Sequence, residues 1–147
     1  MEYLIEYGYY GLFVASFLAA TLIPISSEAL LSMMVLSKAF DFQVCIIVAT
    51  FGNWLGGMSS YFIGYLGRWD LAEKYLGISE TKILKWKNRI DRYSWIYASL
   101  CWLPIVGDVI AVTLGFLNCN KYKVAVFMFL GKFVRYLFWA FFIMKLF

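Results

Sequence analysis

Apolar and charged positions are distributed very unevenly along this chain, in four long apolar blocks and one charged belt. The first block, Leu12 to Ser37, contains one charge, Glu28, and one proline, Pro24. The second, Phe42 to Gly67, contains no charge. A belt from Arg68 to Arg92 follows with eleven charges, seven of them Lys or Arg. The third block, Tyr93 to Leu117, again has one charge, Asp108, and one proline, Pro104. The fourth, Tyr122 to Phe147, carries Lys123, Lys132, Arg135 and Lys145. A membrane-spanning helix needs about 20 mostly apolar residues, so residues 42–67 and 122–147 are predicted to be spanning helices.

Blocks 12–37 and 93–117 are predicted to be re-entrant hairpins. A central proline removes a backbone donor and clashes with the preceding turn. Split there, each limb has about 12 residues, or roughly 18 Å of helix, well short of the roughly 30 Å hydrocarbon core. Such broken backbone is tolerated at membrane depth where it is buried in protein or lines a wet cavity. The corners are Pro24, Ser26 and Ser27 in the first hairpin, and Pro104 and Gly107 in the second. Four full, kinked spans are the alternative.

The two halves correspond at a shift of 80 residues, which places Pro24 on Pro104, Ile25 on Ile105 and Glu28 on Asp108. With one residue of slack, Gly52-Asn53 falls on Gly131-Lys132. Paired proline-interrupted segments in two halves point to an inverted repeat with a site near the midplane. The fold class expected is therefore an all-α integral membrane protein. Two Pro-broken re-entrant hairpins and two spanning helices would form one membrane domain over residues 1–147.

The belt, 68–92, predicts an amphipathic interfacial helix. Ser79 can cap it with Glu80 in the first turn. Ile83, Trp86, Ile90 and Tyr93 then follow at helical spacing, with Lys82, Lys85, Lys87, Arg89 and Arg92 on other faces. Two flanking apolar blocks tether it to lipid, which argues against a nucleic-acid partner. With re-entrant hairpins, the belt and the 118–123 turn share a face with nine Lys/Arg, against Lys38 and Lys145 on the other. The positive-inside rule makes the nine-charge face cytoplasmic.

Composition agrees with the pattern and removes several chemistries. Apolar residues are 63%, charged residues 15% and aromatic residues 21%, and mean hydropathy is +0.75. A soluble domain of this size could not cover its surface with so few polar groups. The absence of His excludes His-based acid/base chemistry and His-ligated metal. Cys45, Cys101 and Cys119 have no metal-binding spacing and read as free buried thiols. Glu2 and Glu6 precede the first apolar run without Lys or Arg, unlike a signal peptide. No metal, cofactor or enzymatic reaction is expected. An intramembrane acid protease would have to combine Asp108 of Gly107-Asp108 with Glu28, since a second intramembrane Asp is lacking.

The informative residues are the charges inside apolar blocks: Glu28, Asp108, Lys132 and Arg135. An ionised side chain at the bilayer centre is disfavoured by about 2.5–3.5 kcal/mol, so these four are expected to meet in one central cluster, with Asn53 as a polar neighbour. Lys132 and Arg135 share a helix face at i and i+3. Read functionally, the carboxylates exchange protons while the two bases hold an anion such as a phosphate head group. Ser26, Ser27 and Gly107 would let a ligand approach the backbone. Read structurally, the same residues form an ion-pair network that fixes hairpin packing. The glycines of Gly52-Asn53-Trp54-Leu55-Gly56-Gly57 fit close helix packing better than a ligand contact.

Leu22-Ile-Pro-Ile-Ser-Ser-Glu28, Trp102-Leu-Pro-Ile-Val-Gly-Asp108 and Gly131-Lys-Phe-Val-Arg-Tyr136 together resemble the DedA family, also called the VTT or SNARE-associated Golgi protein family. Its short YqaA-type bacterial members are the nearest in pattern. The resemblance spans roughly residues 8 to 140. It implies facing re-entrant hairpins, a bacterial inner-membrane location and a role in moving lipids between leaflets. Bacterial relatives are implicated in returning undecaprenyl phosphate with the proton motive force, and eukaryotic ones in scrambling phospholipids. The acid after the first proline falls on Glu28. The arginines that larger members place three residues either side of the second proline are Cys101 and Gly107 here. An additional acid of those members has no counterpart between Phe13 and Ile23.

The function expected is lipid transport or flipping, with membrane lipids and protons as partners and a second copy of the chain thickening a thin bundle. A non-catalytic assembly factor and a downhill scramblase are the alternatives.

Overall fold

The computed structural model describes residues 2–20, 26–66, 89–90, 92–103 and 106–147. Pro24, Pro104 and nearly all of the 68–92 belt, where a Ser79-capped helix is predicted, lie outside the described residues. Within them, regular structure is entirely helical: α1 (Glu2–Ala19), α2 (Ser27–Leu36), α3 (Phe42–Tyr65), α4 (Ser94–Ser99), a 3₁₀ turn (Leu100–Trp102), α5 (Val106–Phe116) and α6 (Lys121–Leu146). Two of these, α3 with 24 residues and α6 with 26, are long and apolar enough to cross a membrane. At 1.5 Å per residue they extend about 36 and 39 Å.

Helix α1 starts ten residues before the first apolar block, because Glu6, Tyr3, Tyr7 and Tyr10 stay on its exposed side and Gly8 and Gly11 do not interrupt it. Ser26 has extended backbone, and its hydroxyl accepts from Ala29 N–H at 3.3 Å. It therefore caps α2 and places Glu28 in the first turn, where the helix dipole favours an acid. Both short helices end on a left-handed residue, Lys38 after α2 and Asn118 after α5, each with φ 57°. These two stand 80 positions apart, the same shift that relates Glu28 to Asp108. After α5 the chain closes in a Schellman turn, with Cys119 N–H on Leu114 C=O and Asn118 N–H on Gly115 C=O. Asp41 and Asn120 then cap α3 and α6 through their side-chain oxygens.

The chain divides into two compact units, Met1–Gly56 with Lys132–Phe147, and Gly57–Gly131. In the first, Leu12, Leu31, Met34, Cys45, Ile46, Ala49, Tyr136 and Ala140 form one buried cluster. A Cβ on Gly52 would lie 2.5 Å from Phe13 O, and one on Gly56 2.4 Å from Phe17 O. The glycine-rich stretch is therefore the contact line between the α3 and α1 backbones, as small-xxx-small spacing in membrane helices allows.

In the second unit Gly64 and Gly115 face each other's helices. Their added Cβ atoms would fall 2.0 Å from Val112 O and 1.8 Å from Tyr61 O. Tyr61 Oη donates to Cys119 C=O at 2.5 Å. Gly107 is buried against the 3₁₀ turn, where a Cβ would stand 2.3 Å from Cys101 O. Cys101 contributes its backbone to that contact, and all three cysteines are buried thiols outside any disulfide.

Beside the apolar core, the described residues combine an exposed apolar stripe with several buried polar groups. Val126, Leu130, Val134 and Phe138 form an exposed stripe along α6, with Val134 61% and Phe138 72% exposed. Ser16, Ser27, Thr50, Asn53 and Lys132 are buried. Water would leave that apolar stripe unfavourably hydrated, whereas lipid covers it without cost.

Candidate functional site

The first unit gathers the polar side chains around α6. From the first turn of α2, Glu28 forms a salt bridge through Oε1 with Arg135 Nη2. Its other carboxylate oxygen accepts from Ser27 Oγ at 3.3 Å. Ser27 is buried and stands 2.7 Å from the hydroxyl of Tyr136, which is itself fully buried. One turn further along α2, Ser32 Oγ donates to the Glu28 carbonyl at 2.7 Å and accepts from Trp139 Nε1 at 2.9 Å. Arg135, Tyr136 and Trp139 thus hold one face of α2 to α6. The pair is covered without being sealed, with Glu28 25% and Arg135 16% exposed.

Lys132 engages a different neighbour. Its buried ammonium donates to Asn53 Oδ1 on α3, and Asn53 Nδ2 donates to the Ser16 carbonyl of α1 at 3.0 Å. The carbonyl contact settles which way the amide points: with its nitrogen on Ser16 O, its oxygen must face Lys132. The Ser16 hydroxyl is buried and has no hydrogen-bond partner among the described residues. One face of α6 therefore reaches α2 through Arg135 and α3 through Lys132.

These groups lie near the middle of the long helices. Asn53 is about 17 Å from one end of α3 and about 18 Å from the other. Lys132 and Arg135 are each about 17 Å from the nearer end of α6. Charged groups so placed require internal partners, and Glu28 and Asn53 provide them. Asp108 occupies the first turn of α5, the position equivalent to Glu28, in the second unit. Ser26 is an exposed cap and Ser27 a buried hydroxyl, whereas Gly107 is used for packing.

Tyr136, Ser32, Trp139 and Ser16 belong to this network although sequence reasoning did not single them out. Aromatic residues are so frequent here that two more on α6 carry no signal. Trp139 stands four residues after Arg135 and Tyr136 four after Lys132, the spacing that puts each on the face of one of these bases and was the available clue. In this arrangement Glu28 neutralises Arg135, and the Lys132 ammonium is buried on the Asn53 amide. Among the described residues, no group of three His, Cys, Asp or Glu side chains is placed to hold a metal ion.

Comparison with known proteins agrees with the membrane assignment. The inner membrane protein YqaA of Escherichia coli (strain K12) is 32% identical over 131 residues, covering 86% of this chain and 84% of that protein. YqaA of Shigella flexneri matches to the same extent. An uncharacterized protein of Haemophilus influenzae is 34% identical over 133 residues, covering 85% of this chain and 80% of its own length. No family model matches, and no solved structure matches. At this identity over most of both chains, and with two apolar helices of spanning length, the protein is a membrane protein that belongs to the DedA family as a YqaA-type member.

Proposed function

We propose that this protein moves a lipid across the bacterial inner membrane, without chemical change to it, and that Glu28, Arg135, Lys132 and Asn53 form the site that the lipid head group passes. The observation that supports this most directly is the Glu28–Arg135 pair at mid-helix depth, reachable at one-sixth to one-quarter of its surface. A pair needed only for packing gains nothing from remaining accessible. Head groups bearing phosphate, such as undecaprenyl phosphate, suit Lys132 and Arg135, which replace the positive charge missing at Cys101 and Gly107. Glu28 and Asp108 would carry the coupling proton.

The finer architecture belongs to the same proposal. Helices α1–α2 and α4–α5 are the limbs of two re-entrant hairpins in an inverted repeat, with the 68–92 belt on the cytoplasmic side. The shared left-handed turns at Lys38 and Asn118 support the repeat. Association with a second copy of the chain belongs to the same proposal.

The test is transfer of tail-labelled fluorescent phosphatidylglycerol between leaflets, followed by quenching from outside in vesicles containing the purified full chain. Wild-type protein should accelerate transfer, a pH gradient should change the rate, and Glu28→Gln and Asp108→Asn should abolish the pH response. A scramblase would transfer lipid in all three. A chain that assembles normally but transfers neither this lipid nor a polyprenyl phosphate would sink the proposal and favour an assembly role.

A further inference from the structure

Glu28 is held by more than its counter-ion. Ser27 has one hydroxyl proton, and the geometry directs it to Glu28 Oε2. In the 2.7 Å contact with Tyr136, the serine oxygen therefore accepts and the phenol donates. Two hydroxyls thus point in series at the carboxylate: Tyr136 to Ser27, and Ser27 to Glu28. Tyr136 also lies beside the other member of the pair, its ring centroid 5.1 Å from Arg135 Cζ. One side chain consequently acts on both ends of the salt bridge.

We propose that Tyr136 and Ser27 are positioning residues for Glu28, a serial hydroxyl chain that holds its carboxylate toward Arg135. Were Glu28 to donate to Ser27 instead, Ser27 would turn its proton toward Tyr136, and the phenol proton would lose its acceptor in a fully buried position, which is unfavourable. The chain works in one direction. It also crosses from α6 to α2, so the state of Glu28 is tied to the contact between these helices. The geometry stands by itself, while the consequence for lipid movement rests on the proposed transport function.

The test uses the full chain and two readouts. In the transfer assay with labelled phosphatidylglycerol, Tyr136→Phe and Ser27→Ala should each lower the rate about tenfold: Ser27→Ala removes the hydrogen bond to the charged carboxylate, and Tyr136→Phe removes the bond that keeps the serine proton turned toward it. Ser27→Thr should recover most of it. Because the links act in series, the double variant should be no slower than either single one. Independent packing contacts would multiply to about a hundredfold loss, which would overturn the proposal. The second readout is the infrared carboxylate band of Glu28, isolated by subtracting the Glu28→Gln spectrum in each background. It should move in Tyr136→Phe and in Ser27→Ala and stay in place in Ser27→Thr. An unmoved band in both would overturn the proposal. A band that moves in protein that transfers no lipid would uphold the positioning role and refute transport. If Tyr136→Phe does not fold, Ser27→Ala and Ser27→Cys, the latter keeping a weaker donor, report on the same band.

Discussion

Arg135 on α6 is joined to Glu28 in the first turn of α2, although the two lie in opposite halves of the sequence. Breaking a buried pair from one side is far more damaging than removing both charges, because a lone charge remains without its counter-ion. Arg135→Leu and Glu28→Leu are each expected to destabilise the protein by about 3 kcal/mol, the lower end of the range for buried pairs given their partial exposure. The double variant should recover more than half of that loss. Unfolding of the four proteins in detergent measures the coupling, and simple additivity would show that the pair contributes nothing.

Val134 sits on the same helix with the opposite assignment, 61% exposed near its middle. On a water-soluble helix, lysine at such a position would change stability little. In lipid it should be disfavoured by about 2.5–3.5 kcal/mol. Val134→Lys is therefore expected to reduce membrane insertion sharply, while Val134→Leu should be silent. Membrane-fraction yield separates the two, and normal insertion of the lysine variant would contradict a lipid-facing α6.

Glycines at helix crossings should divide cleanly from those elsewhere. Alanine at Gly52, Gly64 or Gly115 would drive a Cβ to within 2.5, 2.0 or 1.8 Å of a backbone carbonyl oxygen, which cannot swing aside. Each should lower detergent stability by at least about 2 kcal/mol, within the range for overpacking. Gly11 has nothing within 4 Å of its added Cβ, so Gly11→Ala should be neutral or stabilising by about 0.5–1 kcal/mol through helix propensity. Melting temperatures of the four variants decide the matter, and equal effects at Gly11 and Gly64 would contradict the close crossings.

Much of this protein was legible in its sequence because the signals are local or compositional. A charge-free run of spanning length is a property of the chain alone, so α3 and α6 were placed to within two residues of their ends. Glu28, Lys132, Arg135 and Asn53 were recognisable as internal, since a polar group in an apolar block must find a partner. Even the role of Gly52 and Gly56 followed from their spacing.

Which partner each group finds is another matter. Lys132 and Arg135 share one helix face, and nothing in their spacing sends the first to Asn53 and the second to Glu28. That choice depends on which neighbouring helix lies along each part of α6, and helix neighbours are set by packing between distant segments. Tyr136 was hidden for the same reason. One tyrosine among 11 becomes distinctive only when Ser27, from the far end of the sequence, is brought within 2.7 Å of its hydroxyl. Sequence alone determined that the chain belongs in a membrane and which of its polar groups must be paired inside it, because transfer from water to lipid acts on each residue separately. Only the tertiary structure decided the pairs, because a hydrogen bond depends on the position of two groups at once.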